Sequence, residues 1–319
     1  KTTTMNKIPS VNLADFLSDD PNKKQKFINE IGYAYETIGF VALKGHFLED
    51  TLVNNLYSEI KNFFELPIET KEKYEIQGIG GQRGYVSFGK ESAKGKKEGD
   101  LKEFWHFGQY VEDDTERAKE YPENVLVNEL TNFNEVGKET YKMLEKTAKY
   151  VLRSLALHLS LEETYFDQYI KNGNSILRPI HYPPIATEPK GAERAAAHGD
   201  INLITLLMGA QGKGLQVQNH NGDWIDAMAE PDEIMINVGD MLARHSNNKL
   251  KSTIHRVTNP PKEMWGTSRY SIPFFMHPIS EMKLDVLENC IDSKNPKQFE
   301  DITAGEFLEQ RLLELGLKK

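Results

Sequence analysis

The second half of this chain leaves little choice of fold. After Asn172 it becomes a close succession of short runs rich in β-branched and aromatic residues, punctuated by Gly, Pro and Asn. The runs 176–182, 203–208, 215–218, 224–228, 233–238, 253–258 and 269–277 read as strands, and 219–223 as a hairpin turn. Strands so densely spaced indicate a sandwich or jelly roll rather than an alternating α/β sheet.

The first half is patterned differently. Phe27, Ile31, Ala34 and Ile38 recur at helical spacing within 22–38, and 47–64 repeats the pattern. A longer candidate covers 130–161, where Met143, Leu144, Ala148, Val151, Leu152, Leu155 and Leu159 make a nearly continuous apolar stripe that must be buried. Between these helices lies 78–89, with Gly78, Gly80, Gly81, Gly84 and Gly89 interleaved with Arg83, Tyr85 and Phe88, followed by a charged run at 90–102. A long irregular stretch inside a compact domain is usually functional or mobile, so this segment reads either as a substrate-side loop or lid or as an ordinary surface excursion. A last helix is expected over 304–315, with Thr303 as N-cap and Glu306 in its first turn.

Composition removes several classes of function. A formal net charge of −9 gives no global attraction to phosphate backbones or anionic lipid, so neither nucleic acid nor membrane is expected as a partner, and no protein partner is evident. Cys290 is the one cysteine, which excludes an intrachain disulfide scaffold. No run approaches the roughly 18 apolar residues of a membrane span, and the expected location is the cytoplasm. Thirteen Tyr and fifteen Phe suit a pocket lined by aromatic faces, which favours a small-molecule substrate.

The chemistry is concentrated in His198-Gly199-Asp200, His255 and Arg269-Tyr270-Ser271. On a strand, residues i and i+2 project from one face, so His198 and Asp200 can grip one ion together. Two imidazoles and a carboxylate leave coordination positions open, a set suited to non-heme iron and acceptable to zinc. Arg269 and Ser271 share the same two-residue relation; a guanidinium fork matches a carboxylate, and a neighbouring hydroxyl adds one more bond.

The order of these and other segments resembles the iron(II)- and 2-oxoglutarate-dependent oxygenases of the isopenicillin N synthase-like group over nearly the full length. Residues 8–13 look like that family's opening strand, and 38–46 are similar to its "GFF...NHG" segment. The run 101–106 resembles its "D-x-K-E" motif, and His181-Tyr182-Pro183-Pro184 its "YYPP". His198-Gly199-Asp200, 214–217, 236–240, 252–257 and 269–275 then follow in family order. In place of the family's Asn-Tyr, Ile180-His181 stands before Tyr182, so His181 either replaces a polar contact or points outward.

The resemblance implies an α+β protein with a mainly β core, a double-stranded β-helix flanked by helices. It implies one oxygenase domain over 1–319, with a helical and substrate-side part to about 172, a catalytic core over about 173–280 and a terminal helix near 303–316. By the same resemblance His198, Asp200 and His255 hold Fe(II), while Arg269, Ser271 and Tyr182 hold 2-oxoglutarate. Phe275 lines the space above the metal, and Arg83, Tyr85 and Phe104 are further candidates for substrate contact. The expected reaction uses O2 and 2-oxoglutarate to oxidise, most simply to hydroxylate, a C–H bond, with release of succinate and CO2. Asp200 disfavours halogenation, since halogenating members lack the carboxylate. An oxidase of the same fold that uses no 2-oxoglutarate, a non-catalytic jelly-roll binding protein and a zinc hydrolase are the alternatives.

Overall fold

The computed structural model describes residues 7–89, 102–186, 193–209 and 214–316. Most of the charged run expected at 90–102 lies outside them. The strands are β1 (Ser10–Asn12), β2 (Phe40–Lys44), β3 (Gly84–Val86), β4 (Glu103–His106), β5 (Ile176–Leu177), β6 (Ile180–Tyr182) and β7 (Glu193–His198). They continue as β8 (Ile204–Met208), β9 (Leu215–Gln218), β10 (Trp224–Asp226), β11 (Ile234–Val238), β12 (His255–Thr258) and β13 (Arg269–Met276). A large sheet runs β1-β2-β11-β8-β13-β6-β4-β3, with β5 also on β13; a small sheet runs β10-β9-β12-β7.

The two sheets close on each other as a jelly roll. Phe40, Ala42 and Met235 of the large sheet pack with Leu215 and Val217 of the small one to form the inner core. On the other side of the large sheet, Val41, Leu43, Leu206, Ile236 and Phe274 meet the Thr131–His158 helix through Leu144, Ala148, Val151 and Leu155. Each large aliphatic side chain buried there contributes about 1.5–3 kcal/mol, so the apolar stripe legible in the sequence fixes this helix against the sheet. The fold expected from the strand-dense second half is therefore the observed one. Among the described residues no helix is long and apolar enough to cross a membrane.

Three local outcomes refine the sequence reading. The expected strand 176–182 is interrupted at Pro179, which has no N–H for the ladder, and becomes β5 and β6. The terminal helix forms as Ala304–Glu314, with Thr303 and Glu306 in a reciprocal capping box. The glycine-rich segment is not loop throughout: Gly84–Val86 pairs with β4, Gly84 at φ +82° approaching the Tyr74 carbonyl closely enough to leave no room for a Cβ.

Candidate metal centre and its pocket

His198 closes β7 and lies opposite His255, the first residue of β12, in antiparallel register. Asp200 lies two residues past β7, in irregular backbone just before the bend at 201–203, and its carbonyl accepts from the Asp240 N–H at 2.7 Å. Ligand atoms of His198, Asp200 and His255 all lie within 4.8 Å of one another. The Asp200 carboxylate is 3.4 Å from His255 Nε2 and 3.8 Å from His198 Nε2.

The hydrogen bonds around the three residues orient their lone pairs. His198 Nδ1 donates to the Ala196 carbonyl at 2.7 Å, and His255 Nδ1 to the Thr253 carbonyl at 3.1 Å. Because a carbonyl can only accept, both rings keep their proton on Nδ1 and turn Nε2 toward Asp200. The second carboxylate oxygen of Asp200 accepts from Asn237 Nδ2 at 2.8 Å. Burial works to raise the Asp200 pKa, but the hydrogen bond and charge of His255, with Asn237 and His198, hold it well below the usual carboxylate range. Burial opposes charge on His255 as well, and the carboxylate overcomes it, lifting that imidazole above its ordinary value. Three donors aimed at one point, backed by ordered outer partners, are what a divalent cation needs, and this donor set fits iron.

Beyond the triad, Arg269 and Ser271 occupy one face of β13. Arg269 stands opposite Tyr182 and Ser271 opposite Ile180 on β6. The Gly214 backbone runs so close to Arg269 that a Cβ would sit 2.9 Å from its Nη1. Arg194 lies on β7 beyond a register irregularity between His198 and Ala195, and its guanidinium carbon lies 4.6 Å over the Tyr182 ring. His181 has the opposite parity and points outward: Nδ1 is 2.8 Å from Glu103 Oε2 and Nε2 is 2.9 Å from Ser268 Oγ.

Phe104 and Phe275 both lie against one guanidinium. The Arg178 guanidinium lies 4.8 Å from the Phe104 ring centre and 5.2 Å from that of Phe275. Its Nε donates to His106 Nε2 at 2.6 Å, while His106 Nδ1 donates to the Gly81 carbonyl at 2.7 Å. Burial, and then the charge of Arg178, push the His106 pKa well below its ordinary value, so the ring is neutral and serves as acceptor.

Arg83 and Tyr85 belong elsewhere. Arg83 is fully buried beside Gly108, donates to the Gln82 carbonyl and lies near Tyr110, Tyr121 and Tyr141 on the helix side of the large sheet. Tyr85 is fully buried too; its hydroxyl donates to Glu103 Oε1 at 2.8 Å and its ring meets Phe63 edge-on. One residue of parity decides this: Val86, not Tyr85, pairs with Phe104 and joins Ile180 and Tyr182 on the pocket side.

Arg178, Arg194, His106 and Asn237 were not singled out from sequence. The signal for one of them was present, since Arg178 shares the parity of Tyr182 along an unbroken register with β13, whereas irregularities in β7 separate Arg194 from the parity of His198. Among the described residues no carboxylate pairs with Arg178, Arg194 or Arg269.

Comparison with known proteins agrees with this arrangement. The profile of the 2OG-Fe(II) oxygenase superfamily matches residues 173–278, and that of the non-haem dioxygenase N-terminal region, named for morphine synthesis, matches 8–129. A 2-oxoglutarate-Fe(II) type oxidoreductase of Emericella nidulans is 30% identical, the alignment covering 92% of this chain and 86% of the relative. A crystal structure of a 2OG-Fe(II) oxygenase family protein from Caulobacter crescentus is 40% identical with a TM-score of 0.89, over 98% of this chain and all of that one. A full-length Neurospora crassa protein crystallised in complex with alpha-KG is 30% identical with a TM-score of 0.84, over 98% of each chain. The chain is thus an Fe(II)- and 2-oxoglutarate-dependent oxygenase, a member of the 2OG-Fe(II) oxygenase superfamily.

Proposed function

We propose that this enzyme hydroxylates a C–H bond of a compact small molecule that carries an acceptor oxygen. The balance is one O2 and one 2-oxoglutarate consumed for one succinate, one CO2 and one alcohol formed. The observation that carries the reading is the convergence of His198, Asp200 and His255 beside a pocket whose arginines have no carboxylate of their own among the described residues.

In this reading His198, Asp200 and His255 hold Fe(II), and the metal with 2-oxoglutarate supplies the oxidising power. Arg269 and Ser271 grip the far carboxylate of 2-oxoglutarate, with Tyr182 as the facing wall. Phe104 and Phe275 bound the substrate space, and Arg178, steadied by its bond to His106, offers its remaining N–H groups to the substrate's acceptor. The aromatic side chains of Phe104 and Phe275 would orient the bond to be oxidised. The Neurospora crassa relative has also been crystallised with alpha-KG and thymine, a flat ring bearing carbonyl oxygens, and a molecule of that shape suits the Phe104, Phe275 and Arg178 wall. Because Phe104 and His106 come from the N-terminal part, the chain is proposed to act as one oxygenase unit across 1–319.

The test is a panel of small carbonyl- and carboxylate-bearing molecules incubated with Fe(II), 2-oxoglutarate and O2. Succinate formed in step with oxygen uptake and with a hydroxylated product is the expected result. Oxygen uptake with product but no succinate would instead identify an oxidase that does not use 2-oxoglutarate.

A further inference from the structure

The co-substrate end of the pocket holds two guanidiniums where the carboxylate-binding reading needs one. Register irregularities in β7 on both sides of Ala195 break strict alternation from His198, and the contact of Arg194 with Tyr182, which clusters with Val86, Phe104 and Ile180, is what places its guanidinium on the pocket side. Its guanidinium carbon stacks 4.6 Å over the Tyr182 ring, and Tyr182 is the register partner of Arg269 on β13. The three side chains therefore gather where β13 begins, at the opposite end of that strand from Phe275. Neither guanidinium has a carboxylate partner among the described residues. Burial first, and then the positive charge of Arg269, disfavour the charge on Arg194.

Two like charges in a partly dehydrated pocket repel each other and remain costly until an anion arrives. Stacking on Tyr182 fixes the plane of Arg194 while leaving its edge N–H groups available. A single bidentate fork occupies one side of a carboxylate, and each carboxylate oxygen has a second lone pair to offer.

Resting on the assignment of Arg269 and Ser271 to the far end of 2-oxoglutarate, we propose that Arg194 is a second guanidinium for that carboxylate. It clamps the group from the β7 side and makes the pocket selective for a 2-oxo diacid over a 2-oxo monoacid. The bland alternative is that Arg194 merely packs on Tyr182 and supports the strand.

Calorimetric titration of the full-length Fe(II)-loaded protein under nitrogen separates these, since it reads binding without turnover. The ligands are 2-oxoglutarate and 2-oxopentanoate, which has the same chain length but no far carboxylate. For Arg194→Gln the expected result is about tenfold weaker binding of 2-oxoglutarate, with 2-oxopentanoate unchanged. Arg194→Lys should recover part of the loss, and the salt dependence of 2-oxoglutarate binding should flatten in Arg194→Gln. Equal affinity of Arg194→Gln and the parent for 2-oxoglutarate overturns the proposal. So does an equal loss for both ligands, which is the mark of a structural role. Arg269→Gln keeps the two readings apart: if it abolishes 2-oxoglutarate binding while Arg194→Gln does nothing, only the second guanidinium is lost. A parent protein that does not bind 2-oxoglutarate would remove both.

Discussion

Two buried carboxylates, Glu103 and Asp200, separate what this protein needs to fold from what it needs to react. Glu103 sits on the outward side of the β4 and β6 ladder and is fully supplied by the protein. Lys71 Nζ is 2.7 Å away, the Tyr85 hydroxyl 2.8 Å and His181 Nδ1 2.8 Å. Asp200 has one side-chain amide at 2.8 Å from Asn237, and its other oxygen faces two imidazole nitrogens whose lone pairs point the same way as its own. The first cluster is complete without a ligand; the second is arranged around one. The same contrast holds for the cations, since Lys71 is paired and buried whereas Arg178, Arg194 and Arg269 have no carboxylate partner among the described residues. The Glu103 cluster is balanced inside the chain, and the Asp200 cluster is left open to a ligand.

Removing the open carboxylate should give the largest effect on function and a smaller one on the fold. Asp200→Ala is expected to abolish both iron retention and succinate formation, with a smaller loss of stability in the metal-free protein than Glu103→Ala gives; metal analysis and calorimetry check this. Removing the closed carboxylate should do the reverse. Glu103→Ala leaves Lys71 buried without its partner, and denaturant unfolding should show a loss of about 3–5 kcal/mol. Iron stoichiometry in whatever folded protein remains should be unchanged, and a variant that instead loses metal while keeping its stability would break the contrast.

Asn237→Ala probes the boundary between the two kinds of site, because Asn237 is structural by position yet touches a proposed ligand. An outer partner of this type is worth about 10–100-fold in metal affinity, measurable by competition with a chelator. The smallest effect is the pH response. His255 is raised above its ordinary value by Asp200, so in metal-free protein this pair stabilises fully below about pH 6.5 and loses its contribution as pH rises through the folded pKa. Metal must displace that proton, so iron affinity should rise with pH over the same interval, by up to about tenfold per unit. Opposite pH trends of Tm in the metal-free and metal-loaded forms are the expected signature.

Much of this was legible in the residues themselves. The crowding of short strands after Asn172 foretold the jelly roll, and the apolar stripe over 130–161 marked the helix that backs it. Period-two parity correctly grouped Arg269 with Ser271. The same logic applied to Arg178 with Tyr182 would have found one more arginine on that face, whereas the register irregularities of β7 put Arg194 beyond its reach. What parity could not supply was its own origin in the glycine-rich segment. Where β3 begins decides whether Tyr85 or Val86 faces inward, and that depends on pairing with β4, a partner some 20 residues away. Arg83 was misleading because an exposed loop and a buried turn carry the same glycine-rich text; its guanidinium is held against Gly108, a contact no local pattern announces.

The terminal helix reaches further into this chemistry than its position suggests. Arg311 Nη1 lies 2.7 Å from Asp240 Oδ2, Ser252 donates to the other oxygen of Asp240, and the Asp240 N–H is bonded to the carbonyl of Asp200. A protease that nicks the chain near residue 300 would therefore slacken the loop carrying Asp200 while the packed sheets stayed intact. Iron leakage would then report damage at the tail well before any optical signal of melting.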